Sequence, residues 1–137
     1  MKKLIFILLT LAMAIACNNS TNKKTAEMTI VSDTTAVTVY YFHGKQRCKT
    51  CVAVGDVAKK TVETTCADND KVRFVEINTS EAGNDALIEK YEVAWNALII
   101  VKGENAVEIT DQAFATAVGN PQALENLIKE EINKRLQ

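Results

Sequence analysis

A chain of 137 residues, 47% of them apolar and 24% charged, has the length and balance of one globular domain. With only 5 glycines and 1 proline it is neither collagenous nor of low complexity. The formal net charge is −1, from 16 basic and 17 acidic side chains, and no basic run or basic–aromatic stripe offers a grip on phosphates, which argues against nucleic-acid binding. The single histidine, His43, excludes sites that need two or three imidazoles.

Met1-Lys2-Lys3 is a positively charged start, and residues 4–16 form an apolar run shorter than the ~20 residues a membrane-spanning helix needs. The run ends in Ala14-Ile15-Ala16, directly before Cys17. A charged start, a short apolar stretch and small residues at its end make a secretory signal. Met13-Ala14-Ile15-Ala16-Cys17 resembles the lipobox of bacterial lipoproteins, although the commonest lipobox has Leu where Ala14 stands. The resemblance implies a diacylated Cys17 as mature N-terminus, lipid-anchored in the cell envelope and facing the periplasm or the exterior. Two or three acyl chains anchor stably, where one would not. A plain signal peptide cut nearby, leaving Cys17 free, is the alternative. Loss of Lys2 and Lys3 leaves 14 basic against 17 acidic side chains. Residues 17–35 are polar, rich in Ser, Thr, Asn and Lys, and read as a flexible linker to a domain over 36–137.

Within that domain, Val37 to Phe42 is β-branched and aromatic and reads as a largely buried strand. His43 to Arg47 is a short loop. Cys51, Val54, Ala58, Val62 and Cys66 then recur at steps of three and four, the stripe of an amphipathic helix in which Gly55 is a soft spot costing about 1 kcal/mol against Ala. Val72 to Ile77 reads as a second strand, and a second helix is expected from an N-cap near Ser80 to Tyr91. Ala97 to Val101 is a continuously apolar third strand, suited to the middle of a sheet. Gly103-Glu104-Asn105 turns the chain into Ala106 to Ile109, a hairpin. The last helix starts at Asn120-Pro121 and carries Leu124, Leu127, Ile128, Ile132 and Leu136 on one face. Glu125/Lys129, Glu130/Lys134 and Glu131/Arg135 support it at i,i+4. This order predicts an α/β fold, a central sheet with helices on both faces.

Cys48-Lys49-Thr50-Cys51 falls where a buried strand passes through a loop into a helix. The first backbone N–H groups of a helix lack partners and its dipole favours negative charge there, so a Cys48 thiolate is stabilised, with Arg47 and Lys49 adding positive charge. Two intervening residues bring the sulfurs within bonding reach, and the second thiol can resolve a mixed disulfide. An inert structural disulfide remains open, and so does half of a metal site, although a structural zinc wants four ligands. Cys66 lies roughly 22 Å along the same helix from Cys51, too far for a bridge, and reads as a small core residue. His43 either approaches Cys48 or is a solvated loop residue. Trp95 and Tyr91 read as packing residues first.

From about Ala36 to Gln137 the sequence resembles the thioredoxin family. The likeness rests on the strand before CxxC, the helix after it, Tyr91-Glu92-Val93 leading into the third strand, and Lys102-Gly103-Glu104 at the hairpin. It implies a thioredoxin-like fold with a central mixed β-sheet flanked by helices, Cys48 as exposed attacking cysteine and Cys51 as resolving one. Arg47 and Lys49-Thr50 stand where the family usually has Trp and Gly-Pro. Trp95-Asn96-Ala97 replaces the cis-proline segment, and an ordinary trans peptide is expected there, because a cis bond before a non-proline residue costs about 2.5–4 kcal/mol. The acid of the family's first strand is missing among Tyr40, Tyr41 and Phe42.

The sequence thus points to an extracytoplasmic thiol–disulfide oxidoreductase, a reductant or isomerase needing no cofactor beyond the Cys48–Cys51 disulfide. His43, Arg47, Lys49, Thr50, Trp95 and Asn96 would surround the pair and shape the substrate wall. Expected partners are a protein or small-molecule thiol or disulfide, the membrane through the lipid, and a membrane redox protein. The alternative is a non-catalytic thioredoxin-like binding module with a structural disulfide.

Overall fold

The computed structural model describes residues 34–137, so the expected signal, Cys17 and most of the linker lie outside the described residues. Strand β1 (Val37–His43) is the centre of a four-stranded sheet. Strand β2 (Val72–Asn78) pairs with it in parallel, and β3 (Ala97–Lys102) pairs with it antiparallel on the other side. Strand β4 (Asn105–Glu108) closes the hairpin from β3, giving the order β2-β1-β3-β4. Around the sheet lie α1 (Lys49–Thr65), α2 (Asp85–Lys90), α3 (Thr110–Thr116) and α4 (Pro121–Leu136). The mixed sheet with its parallel β1-α1-β2 unit and antiparallel hairpin is a thioredoxin-like arrangement.

Successive side chains of a strand point to opposite faces of the sheet, and here both faces are covered. Val37, Val39 and Tyr41 of β1, with Leu98 and Ile100 of β3, face Val54 and Ala58 of α1, Ala113 of α3, and Leu124 and Ile128 of α4. Phe42, Ile99 and Val101 point the other way, to Ile77 and to Leu87 of α2. Each fully buried side chain of this size contributes about 1.5–3 kcal/mol by leaving water, which is why β1 and β3 can be apolar on both faces.

Two elements differ from the sequence expectation. Helix α2 starts at Asp85, not near Ser80. Its approach is taken by turns in which the Ser80 N–H donates to Asn78 Oδ1 (3.0 Å) and the Ser80 hydroxyl accepts the Lys45 N–H (3.2 Å). Gly83, at φ +104°, breaks any helical run there, since only glycine adopts that backbone freely. The second difference is α3, a helix the sequence reading did not place, which buries Ala113 behind Ile109 of the hairpin. Helix α4 begins as expected, its Asn120 side chain accepting the Ala123 N–H at 3.3 Å. Its three i,i+4 ion pairs, Glu125–Lys129, Glu130–Lys134 and Glu131–Arg135, are all formed. Arg135 also donates from Nε to the Asn105 carbonyl at 3.3 Å, tying α4 to the start of β4.

Candidate redox site

The end of β1 and the four-residue loop from Gly44 to Arg47 deliver Cys48 to the N-cap of α1, where its backbone is extended (φ −75°, ψ 166°). Its Sγ accepts the Cys51 N–H at 3.1 Å, as a Ser or Asp oxygen does at other helix starts, and its carbonyl accepts the Val52 N–H at 3.0 Å. No carboxylate stands in the first turn of α1 to compete for the dipole. Cys48 and Cys51 form a disulfide with their Cα atoms 5.0 Å apart. The two cysteines are unequal. Cys48 is exposed, whereas Cys51 is 6% exposed under the helix. Lys49 is exposed and Thr50 half-buried on the turn between them.

A charged and aromatic cluster lies beneath this turn. The buried Tyr41 hydroxyl donates to the Cys51 carbonyl at 2.6 Å, and Arg47 Nη2 approaches the same oxygen at 3.4 Å. Burial pushes the Tyr41 phenol above its ordinary pKa, against the opposing pull of Arg47. Arg47 was expected to flank Cys48 with positive charge; its guanidinium turns inward instead, 5.5 Å from the Tyr41 ring centre, and donates from Nη1 to Glu76 Oε1 at 2.8 Å. The same Glu76 oxygen lies 3.1 Å from His43 Nε2, and His43 Nδ1 meets the Gly44 carbonyl at 2.8 Å. His43 is therefore a buried strand-end residue and not a solvated loop histidine, because Glu76 and the Tyr41 ring occupy its surroundings.

Gly55 acquires a different meaning here. A Cβ at this position would stand 2.6 Å from Arg47 Nη2 and 2.9 Å from the Tyr41 ring. The helix accepts a poor helix former because the guanidinium and the phenol need that space.

Trp95 and Asn96 sit in the connection from α2 to β3. Ala97, the next residue, pairs with Phe42, so this connection reaches the sheet at the end where β1 releases the chain toward Cys48. Trp95 is 82% exposed, contrary to the packing role expected of it. The neighbouring core is already filled by Tyr91, which lies against Tyr40 and Phe42 with ring centres 5.6 and 6.1 Å apart. Asn96 is half-buried, and with Tyr91, Trp95, Ala97 and Glu108 it lines a shallow cleft of about 190 Å³. Cys66, the C-cap of α1, is a free thiol packed half-buried against the larger core, with burial raising its pKa. Among the described residues no group of three or more His, Cys, Asp or Glu side chains is placed to hold a metal ion, and no helix is long and apolar enough to cross a membrane.

No family profile and no curated protein sequence matches the chain. A solved structure described as that of a malarial protein is similar, with 20% sequence identity over 69% of this chain and 96% of that one and a TM-score of 0.49.

Sequence reasoning found the cysteines and their helix but not Tyr41, Gly55 or Glu76 as neighbours of the site. The signal lay in strand register, since parallel pairing sets Glu76 directly opposite Tyr41.

Proposed function

We propose that this protein is a thiol–disulfide oxidoreductase in which Cys48 attacks and Cys51 resolves. The observation that carries this reading is the unequal pair itself: an exposed cysteine at a helix N-cap, its sulfur receiving a backbone N–H, with its partner buried one turn inside. In the reduced protein the Cys48 thiolate attacks a substrate disulfide, forming a mixed disulfide and releasing one substrate thiolate, which takes a proton. Cys51 then loses its proton and attacks Cys48 Sγ, the second substrate thiolate leaves, and the Cys48–Cys51 disulfide forms. Two electrons have passed to the substrate, and a dithiol donor must return them.

The N-terminal sequence supports work outside the cytoplasm, with Cys17 lipidated and a membrane redox protein as donor. The polypeptide or small-molecule disulfide would rest against Trp95 and Asn96, where a large exposed aromatic offers apolar area near the sheet end that carries Cys48.

Insulin-disulfide reduction driven by a dithiol tests the reading. Wild type should turn over, and Cys48→Ser should fall to the uncatalysed rate while keeping its unfolding temperature within a few degrees of the reduced wild type. A wild type that reduces nothing with any dithiol donor would instead leave a binding module with a structural disulfide.

A further inference from the structure

Arg47 is held in an incomplete environment. Its Nε is the one buried side-chain nitrogen or oxygen without a hydrogen-bond partner among the described residues. Buried polar groups are nearly always paired, and an exception asks for a cause. Here the guanidinium is not seated for its own hydrogen bonding. It is drawn beneath the CxxC turn by Glu76, over Tyr41 and against the bare backbone of Gly55. None of its hydrogen bonds goes to a sulfur: they run to Glu76 and to the Cys51 carbonyl.

Glu76 is the fixed point of the cluster. One oxygen, Oε1, serves both Arg47 and His43. Both ring nitrogens of His43 face oxygen atoms, Glu76 Oε1 and the Gly44 carbonyl. The remaining groups around the cluster are Tyr41 from β1 and Asp56 from α1.

Resting on the redox reading above, we infer that Glu76 is a positioning residue of the dithiol site. By sharing one carboxylate oxygen between Arg47 and His43, it diverts the guanidinium from Cys48 and thereby limits the thiolate character and oxidising strength of the pair. The physical sense follows from charge. The reduced form carries the thiolate, so positive charge nearby favours reduction and negative charge opposes it. Glu76 supplies one negative charge and withholds one positive charge.

The test equilibrates the purified protein with mixtures of reduced and oxidised glutathione and, separately, follows the Cys48 thiolate by its ultraviolet absorbance against pH. In Glu76→Gln the equilibrium constant for oxidation of the dithiol should fall about fivefold, the scale of one charge change in a partly exposed site, and Cys48 should ionise at lower pH. Arg47→Gln leaves Glu76 without its cation and should move both quantities the opposite way. The double variant should return toward wild type. The inference is overturned if the two single variants shift the equilibrium in the same direction. It is equally overturned if Glu76→Gln lowers the unfolding temperature while leaving equilibrium and ionisation unchanged. These measurements need a reducible pair and no turnover. An inactive wild type would therefore remove the oxidoreductase reading alone, and an active enzyme without these shifts would remove only the role of Glu76.

Discussion

Two arginine–glutamate pairs in this protein share a closest approach of 2.8 Å and little else. Arg135 and Glu131 lie one turn apart on α4, with side chains 6% and 11% exposed. Arg135 Nε has the Asn105 carbonyl, its Nη1 has the Glu131 carbonyl and carboxylate, and Glu131 also receives Lys134 at 2.7 Å. The hydrogen bond from Lys134, helped by Arg135, holds the Glu131 carboxyl below the usual carboxylate range in spite of its burial. Arg47 and Glu76, in contrast, come from a loop and from β2, Glu76 is 40% exposed, and one arginine nitrogen is buried alone. A buried unsatisfied group costs about 1–3 kcal/mol, so the second pair is an inefficient way to hold a fold together. Pairing that leaves no buried nitrogen alone, as at Arg135, suits a stabilising device; a pair with an orphaned nitrogen beside a disulfide fits the tuning role inferred for Glu76.

Breaking each pair in turn should separate the two roles. Removing Arg135 takes away its hydrogen bonds to the Asn105 and Glu131 carbonyls and leaves the buried Glu131 carboxylate only Lys134, so Arg135→Ala should lower unfolding free energy in urea by about 3 kcal/mol. Arg47→Ala removes an orphaned nitrogen along with a half-exposed ion pair and should cost only about 1 kcal/mol. Equal losses in the two variants would erase the contrast.

A smaller effect is expected from Gly55→Ala. Better helix propensity contributes about 1 kcal/mol, but crowding against Arg47 and Tyr41 costs about 1–3 kcal/mol, so the net change should be destabilising. The penalty should shrink in an Arg47→Ala background; a stabilised Gly55→Ala single variant would show that the guanidinium does not rest there.

The smallest effect concerns acid. Because the folded Glu131 carboxyl titrates below its unfolded value of about 4.3, its contribution is present above that value and is lost as pH falls through the folded pKa. Urea midpoints measured from pH 6 downward should therefore fall less steeply in Glu131→Gln than in wild type.

Most of the scaffold was legible because bulky apolar residues carried it. The runs Val37–Phe42 and Ala97–Val101, the stripe through Val54, Ala58 and Val62, and the Asn120-Pro121 start each had one reading. Helix α3 escaped because it is short and its fully buried residues, Ala113 and Ala117, are small, leaving Phe114 as the one bulky side chain it packs against the core. The start of α2 was misplaced because a capping serine is a local cue, and the turns around Gly83 depend on distant Lys45. At the site, CxxC before a helix was a local pattern and could be read directly. The Arg47–Glu76–His43 cluster joins a loop to two strands and becomes visible only once β1 and β2 are in register. Trp95 was misjudged because hydrophobicity alone does not say whether the neighbouring core has room.

Strands β2 and β4 form the borders of the sheet, and among the described residues nothing pairs with the outer side of either. At the β4 border the strand is short, which is a common safeguard against joining another molecule. The β2 border is longer, with Val72, Phe74 and Val75 along it, and its defence is charge: Arg73 and Glu76 stand exposed in the same strand. Charged side chains along a border strand disfavour edge-to-edge pairing between copies, so a carboxylate at Glu76 suits this position in the sheet as well as its place beside Arg47.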